Sequence, residues 1–279
     1  MDMRPYRLSA SSQPPNPVRR ERVPIVVAVL AAIGAAFFIL PLIGLIVRSP
    51  WGDAVKSLTA PETIEALKLS IIASLSATAI ALLLGVPLAW IFARVEFPGR
   101  NLLRALTTLP MVLPPVVGGV ALFLAFGRRG LVGSWLDSTF GITIPFTTAA
   151  VVMAETFVAM PFLIITVEAG LRSMDRRYED AARTLGAKRW TVFTRVTLPL
   201  IAPSLFAGAV LCWARALGEF GATITFAGNF PGVTQTMPLA VYLLLETNQE
   251  QGAYILSLVL LLISLLVLVA LRHRWLGSA

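Results

Sequence analysis

Few side chains in this 279-residue sequence can do chemistry, and several of those that can are set in apolar surroundings. Glu155, Glu168, Arg215 and Glu219 are ionisable residues inside long hydrophobic runs. Arg215 and Glu219 are four apart and therefore share one face of a helix. A charge at mid-membrane costs at least about 2.5 kcal/mol, so such a pair must face a protein interior or an aqueous path, not lipid. Two roles fit it: a path-lining constellation met by a passing anion, or a self-neutralising pair that fixes helix position. Glu155 has no evident partner and suits an aqueous cavity or a hydrogen bond to the next helix. Other chemistries lack material. Cys212 is the only cysteine, which excludes an intramolecular disulfide and Cys/His metal clusters. His273 is the only histidine and, between Arg272 and Arg274, reads as an interfacial residue. No Gly-x-x-x-x-Gly-Lys-Ser/Thr phosphate cradle occurs, so the chain is not expected to hydrolyse ATP itself. No catalytic residue, metal site or cofactor is expected.

The one long charged island runs from Asp175 to Pro199. Asp175 can accept from the free N–H groups of a helix starting at Arg176, and Gly186 can take the left-handed conformation that ends it. On that helix Tyr178, Ala181, Ala182 and Leu185 fall at i, i+3, i+4 and i+7, a narrow apolar stripe whose small central residues let another surface approach. Arg177, Glu179 and Arg183 point elsewhere. A second amphipathic segment with Trp190, Phe193 and Val196 leads into Leu198-Pro199. Periodicity alone fits equally well a helix lying on the lipid surface.

The spacing resembles the EAA signature of ABC importer permeases. Its acid, two alanines, glycine and Leu-Pro match Asp180, Ala181, Ala182, Gly186 and Leu198-Pro199, with Val196 at the aliphatic position; Asp180 departs from the family's usual Glu. In that family the short helix docks in a cleft on a separate ATP-hydrolysing subunit. The resemblance implies that Tyr178, Glu179, Asp180, Ala181, Ala182, Leu185, Gly186 and Ala187 form the coupling helix to such an ATPase subunit.

The elements that must position these residues read as membrane helices. The sequence is 57% hydrophobic and 14% charged, which indicates a polytopic membrane protein. Residues 1–22, rich in Arg and Pro, are expected to be a disordered cytoplasmic tail. Residues 23–279 are expected to form the transmembrane permease domain. Its spans lie near 24–47, 64–93, 102–126, 147–171, 198–226 and 253–271, with a cytoplasmic loop at 172–197. The first run is too long for a signal-peptide core and reads as an uncleaved span. Lys68, in the outer turns of the second run, reads as snorkelling. Basic residues follow the positive-inside rule: with the N-terminus inside, 17 of 23 face the cytoplasm, so both termini and the charged island are placed there. The formal charge of +8 therefore reports topology and not nucleic-acid binding. The run Leu109 to Gly119, with Pro110, Pro114 and Pro115, cannot be a straight helix. A short interfacial helix is expected within 127–145. Thr236 to Leu245 is too short to cross and suits an outer gate or a docking surface for an extracytoplasmic partner.

A narrower resemblance rests on Ala214 to Thr223, Phe226 to Asn229, Thr234 to Ala240 and Leu113 to Gly119. These runs look like the molybdate permeases of the sulfate and molybdate importer group, over about Ile64 to Leu271. The resemblance implies an all-α membrane protein of six transmembrane helices with the type I ABC importer permease (MetI-like) fold, in the plasma or inner membrane. It implies a homodimer with one pore, cytoplasmic ABC ATPase subunits, and an extracytoplasmic oxyanion-binding protein. The cargo implied is molybdate or tungstate, moved by alternating access, with Arg215, Glu219, Thr223 and Glu155 as pathway candidates. The alternatives are a sulfate or thiosulfate permease of the same group, or an ion-gradient-driven secondary transporter. The latter would place paired carboxylates or a broken-helix ion site at mid-membrane, usually with an inverted repeat, and neither is found.

Overall fold

The computed structural model describes residues 24–276, with side chains described to residue 269. The tail expected at 1–22 lies outside the described residues. Within them every regular element is helical. Internal contacts divide the described residues into two units, with the boundary between Val47 and Arg48. The first holds helix α1 (Ile25–Arg48), 24 residues long, apolar on all sides, with Pro41 inside it and no buried residue. A helix that is hydrophobic all round meets lipid or other protein on every face.

The second unit begins with a 3₁₀ turn at Trp51–Asp53 and α2 (Ala54–Thr59). Next comes α3 (Pro61–Arg94), whose 34 residues exceed the roughly 20 that a bilayer requires. One face of α3 is a stripe of small buried residues: Ala66, Ser70, Ala73, Ala77, Ala81, Gly85 and Ala89. In lipid, helix association has little hydrophobic drive, and small residues let backbones approach closely enough for van der Waals contact. A side chain on Gly85 would meet Leu163 and Ile164 at 3.2–3.3 Å. Lys68 is exposed, as snorkelling requires.

The third apolar run forms α4 (Arg100–Thr108), a 3₁₀ turn (Leu109–Met111) and α5 (Pro115–Phe126), with a bend of 117° between the two arms. Pro110, Pro114 and Pro115 remove the N–H donors a continuous helix needs there. Helix α6 (Gly133–Phe140) follows and ends at Gly141, whose φ is +65°. Arg128 pairs with Asp137 at 3.0 Å, and Thr143 donates to the same carboxylate. The guanidinium and its hydrogen bond hold the Asp137 carboxyl below its usual range. The fourth run is α7 (Thr148–Ser173), N-capped by Thr147, which accepts from the Ala150 N–H.

The charged island holds α8 (Arg177–Thr184) and α9 (Arg189–Val192), then a π-helical turn (Phe193–Thr197) and α10 (Leu198–Leu200). The fifth run, expected as a span over 198–226, is not one continuous helix. It bends by 73° into α11 (Ala202–Leu217) and breaks again at Gly218–Phe220 before α12 (Gly221–Phe226). Pro199 and Pro203 deny the first junction two donors. At the second, the Glu219 carboxylate accepts from the Ala222 N–H at 2.7 Å, satisfying a donor freed at the start of α12. The apolar helix α13 (Met237–Glu246), too short to cross, and α14 (Glu250–Leu276) complete the chain. Among the described residues four unbroken helices are long and apolar enough to cross a membrane, six if each bent pair makes one crossing.

The core lies where α3, α7 and α11 meet. Phe92, Leu163, Ile164 and Leu171 fill it beside Ala77, Ala81, Ala159 and Ala216. Helix α5 docks on α12 through Gly119, where an added Cβ would lie 2.7 Å from the Ala222 carbonyl oxygen and overlap the Thr225 side chain. Gly119→Val is therefore expected to cost about 1–3 kcal/mol as overpacking. It should lower the thermal unfolding midpoint of the purified protein in detergent. Gly52→Ala, which meets no atom within 4 Å, should leave that midpoint unchanged.

Candidate functional site

The site is built on α8. Asp175 Oδ1 accepts from the Arg177 N–H at 2.9 Å, one residue later than the start read from sequence. At the other end Gly186 has φ +84°. Its N–H donates to Arg183 O at 2.9 Å and the Ala187 N–H to Ala182 O at 3.0 Å. These two bonds form the glycine-terminated Schellman turn, which satisfies carbonyls that the helix end would otherwise leave open. Tyr178 is 59% exposed and Leu185 88% exposed. Asp180 and Ala181 are also exposed, while Ala182 and Ala187 are half-buried. The apolar stripe thus faces outward, available to a partner or to the lipid surface.

Glu179 points the opposite way. It is 4% exposed; one oxygen lies 3.3 Å from Arg94 Nε and the other accepts from the Thr197 hydroxyl at 2.7 Å. Of the eight residues assigned to the coupling helix, Glu179 alone is buried, and it holds α8 against the last residue of α3 and the π turn. A buried carboxylate is tolerated only when paired and hydrogen-bonded, and both conditions are met here.

The end of α3 is itself a convergence point. A helix leaves its last carbonyls without intrahelical partners and carries partial negative charge there, which favours cations. Arg100 and Arg104, from the start of α4, both donate to Phe92 O, and Arg176 donates to Ala93 O at 3.2 Å. Arg104 also lies over the Phe92 ring, 5.5 Å from its centroid. Glu168 binds Arg104 and Arg172, each at 2.7 Å, which ties α7 into the same junction. The α3 end, the neighbouring α4 and the sequence-distant α7–α8 junction are thereby held by guanidinium groups.

Within the spans the structure joins Arg215 to Glu219 at 2.7 Å, with Glu219 1% exposed. Glu155 is also 1% exposed, lies within electrostatic range of Glu219, and its Oε2 has no hydrogen-bond partner among the described residues. Thr223 is fully buried, with its hydroxyl likewise unpartnered. Of the four pathway candidates only Arg215 reaches a surface of this chain, its side chain 28% exposed.

Sequence reasoning missed the junction. Arg94, Arg100 and Arg104 counted only among the basic residues that set topology, Arg176 only as the start of the short helix, and Thr197 not at all. The available signal was chemical: Glu179 is a carboxylate on a short helix that also carries Arg176, Arg177 and Arg183.

Residues 81–278 match the family of binding-protein-dependent transport system inner membrane components. The chain is 46% identical over 244 residues to the molybdenum transport system permease protein ModB of Mycobacterium tuberculosis, covering 88% of this chain and 92% of that one. It is 45% identical over 214 residues to ModB of Escherichia coli, covering 75% and 93%. The sulfate transport system permease protein CysT of Escherichia coli is 36% identical over 237 residues, covering 84% and 85%. Among solved structures, a bacterial ABC transporter involved in alginate import superposes with a TM-score of 0.68 at 20% identity, covering 89% of this chain and 93% of that one. The inward-facing methionine ABC transporter MetNI gives 0.55 at 18% identity, covering 79% and 100%. The last two establish a shared fold.

The turn at Gly186 can be tested without any partner. A valine at φ +84° is a strained conformation costing about 1–2 kcal/mol. Gly186→Val should open the end of α8 and speed tryptic cleavage after Lys188 in the purified protein by about tenfold. An unchanged cleavage rate would contradict the turn's role.

Proposed function

Because the chain belongs to the family of binding-protein-dependent transport system inner membrane components, we propose that it is the permease subunit of an ATP-driven importer whose cargo is molybdate or tungstate. The observation that carries the cargo is the 46% identity to a molybdenum permease over 88% of this chain, against 36% for the sulfate permease. Both termini and α8 face the cytoplasm in this reading, supported by the bias of basic residues toward that side. ATP is hydrolysed by separate cytoplasmic subunits, whose cleft receives the exposed stripe of Tyr178, Ala181, Ala182 and Leu185. An extracytoplasmic binding protein delivers the anion, and two copies of the chain enclose one pore.

The geometry suits alternating access. ATP draws the two ATPase subunits together, and α8 follows the cleft that grips it. Because Glu179 is fixed to Arg94, the force acts on the end of α3 and, through α3, on α7 and α11 in the core. The broken fifth segment, with its hinges at Ile201 and Gly218–Phe220, can then change the angle between its parts while α11 keeps its own contacts. Hydrolysis reverses the movement. Arg215 supplies the positive charge that a tetrahedral oxyanion meets, and Glu219 moderates it, so that the anion is attracted without being trapped.

ATPase activity of the reconstituted complex, with its binding protein, should rise severalfold with molybdate at concentrations where sulfate has no effect. Stimulation by sulfate alone would keep the importer architecture and overturn the cargo. Uptake that persists without the ATPase subunit would overturn the coupling.

A further inference from the structure

Beside the coupling helix lies a cavity of about 540 Å³ whose lining includes Arg94, Arg176, Arg183 and Arg189. Two carboxylates share the lining: Glu179 is committed to Arg94, and Asp180 pairs with Arg183 at 3.1 Å. Among the described residues no ion pair engages Arg176 or Arg189. The cavity is therefore net cationic. Its inner wall is the Arg94 side chain, 8% exposed, whose Nη2 is buried without a hydrogen-bond partner. A buried guanidinium with a donor left unpaired adds uncompensated positive charge to the cavity wall, which favours an anion in the cavity.

A second cavity, about 310 Å³, adjoins it and shares Trp90, Arg189 and Phe193. Its remaining lining is Pro87, Ile91 and Trp190, so apart from Arg189 it is apolar. The rings form a continuous wall: Trp90 meets Phe193 edge-on at 6.3 Å, and Phe193 meets Trp190 at 5.8 Å. Trp190 is 73% exposed. Both cavities sit at the last two turns of α3, where a membrane helix leaves the bilayer and where tryptophan is favoured at the headgroup level.

We propose that the paired cavities bind an anionic membrane phospholipid, with its phosphate among Arg94, Arg176 and Arg189 and the start of an acyl chain along Trp90, Phe193 and Trp190. Charge complementarity selects the phosphate, since basic pockets between membrane helices accept anionic headgroups. The apolar cavity selects lipid over a soluble oxyanion, which would leave that wall uncovered. Bound there, the lipid bridges the end of α3 and the segment following α8, so the bilayer itself braces the junction through which ATPase movement passes. The site rests on the membrane-spanning reading above but on neither the cargo nor the ATPase partner.

The test uses the full chain in bilayer discs of equal phosphatidylglycerol and phosphatidylcholine, released into the gas phase for native mass spectrometry. The ratio of retained phosphatidylglycerol to phosphatidylcholine should be at least about fivefold above the bulk ratio, a factor typical of one basic residue near a lipid surface. Arg189→Gln should remove about that factor. Trp190→Ala, which changes no charge, should lower retention too. Both side chains are exposed, so neither change threatens the core. Retention at the bulk share, or retention unaffected by both substitutions, would overturn the proposal. Displacement of the lipid by excess inorganic phosphate would reassign the site to soluble anions and overturn it as well. If Arg189→Gln keeps the lipid but strips the ATPase subunit from the complex, the cavity serves the partner and the lipid assignment falls. Molybdate uptake by the same variants reports on the permease reading alone.

Discussion

One ion pair taken out of water holds the end of α3 and the short helix α8 together. Arg94 ends α3, Glu179 lies on α8, and each is almost wholly shielded from solvent, with Thr197 of the π turn supplying the carboxylate's second partner. Such a pair is weak grounds for stability, because desolvating two charges offsets much of their attraction. Breaking it is another matter: a single uncompensated charge left in that position costs about 3–5 kcal/mol. The consequence is geometric. Helix α8 is too short to be stable alone, since isolated helices below about 12 residues are marginal. It is held by its caps at both ends and by one buried acid in the middle, so that its opposite face can stay apolar, exposed and correctly presented. The same pair ties that helix directly to the end of α3.

The membrane part obeys a complementary constraint. The small-residue stripe on α3 and the glycines at 85, 119 and 170 bring backbones close, and a side chain at Gly170 would overlap Ser204 of α11. That close contact gives α3, α7 and α11 a rigid shared core. The interruptions in helical hydrogen bonding lie elsewhere, at the proline-rich turn between α4 and α5 and at the two breaks flanking α11. Rigid core and broken outer segments together allow a change in angle without loss of packing, which is what a gated path requires.

Much of this was legible in the sequence. Asp175 and Gly186 bracketed the short helix because capping chemistry is local, and the fault at Leu109–Gly119 followed from proline alone. The runs at 64–93 and 147–171 each formed one unbroken helix because length and hydropathy suffice where no breaker intervenes. The fifth run misled for the converse reason: its hydropathy is continuous, whereas Pro199, Pro203 and the Glu219 side-chain cap interrupt its hydrogen bonds. The Arg94–Glu179 pair was not legible. Its members are 85 positions apart, and no periodicity links a residue counted for topology to one on the polar face of a loop helix. Likewise the three arginines on the α3 carbonyls became visible only once the fold brought α4 and the α7–α8 junction to one helix end.

The most direct measurement is a double-mutant cycle on Arg94→Gln and Glu179→Gln, read as cargo-stimulated ATPase activity of the reconstituted complex. If the pair transmits force from α8 to α3, each single change should remove most of the stimulation, and the double change should be no worse than the worse single. The two effects would then share one coupling term of about 1 kcal/mol or more. Strict additivity of the two losses would mean that the residues act independently, and the junction would not be the mechanical link between the coupling helix and the membrane core.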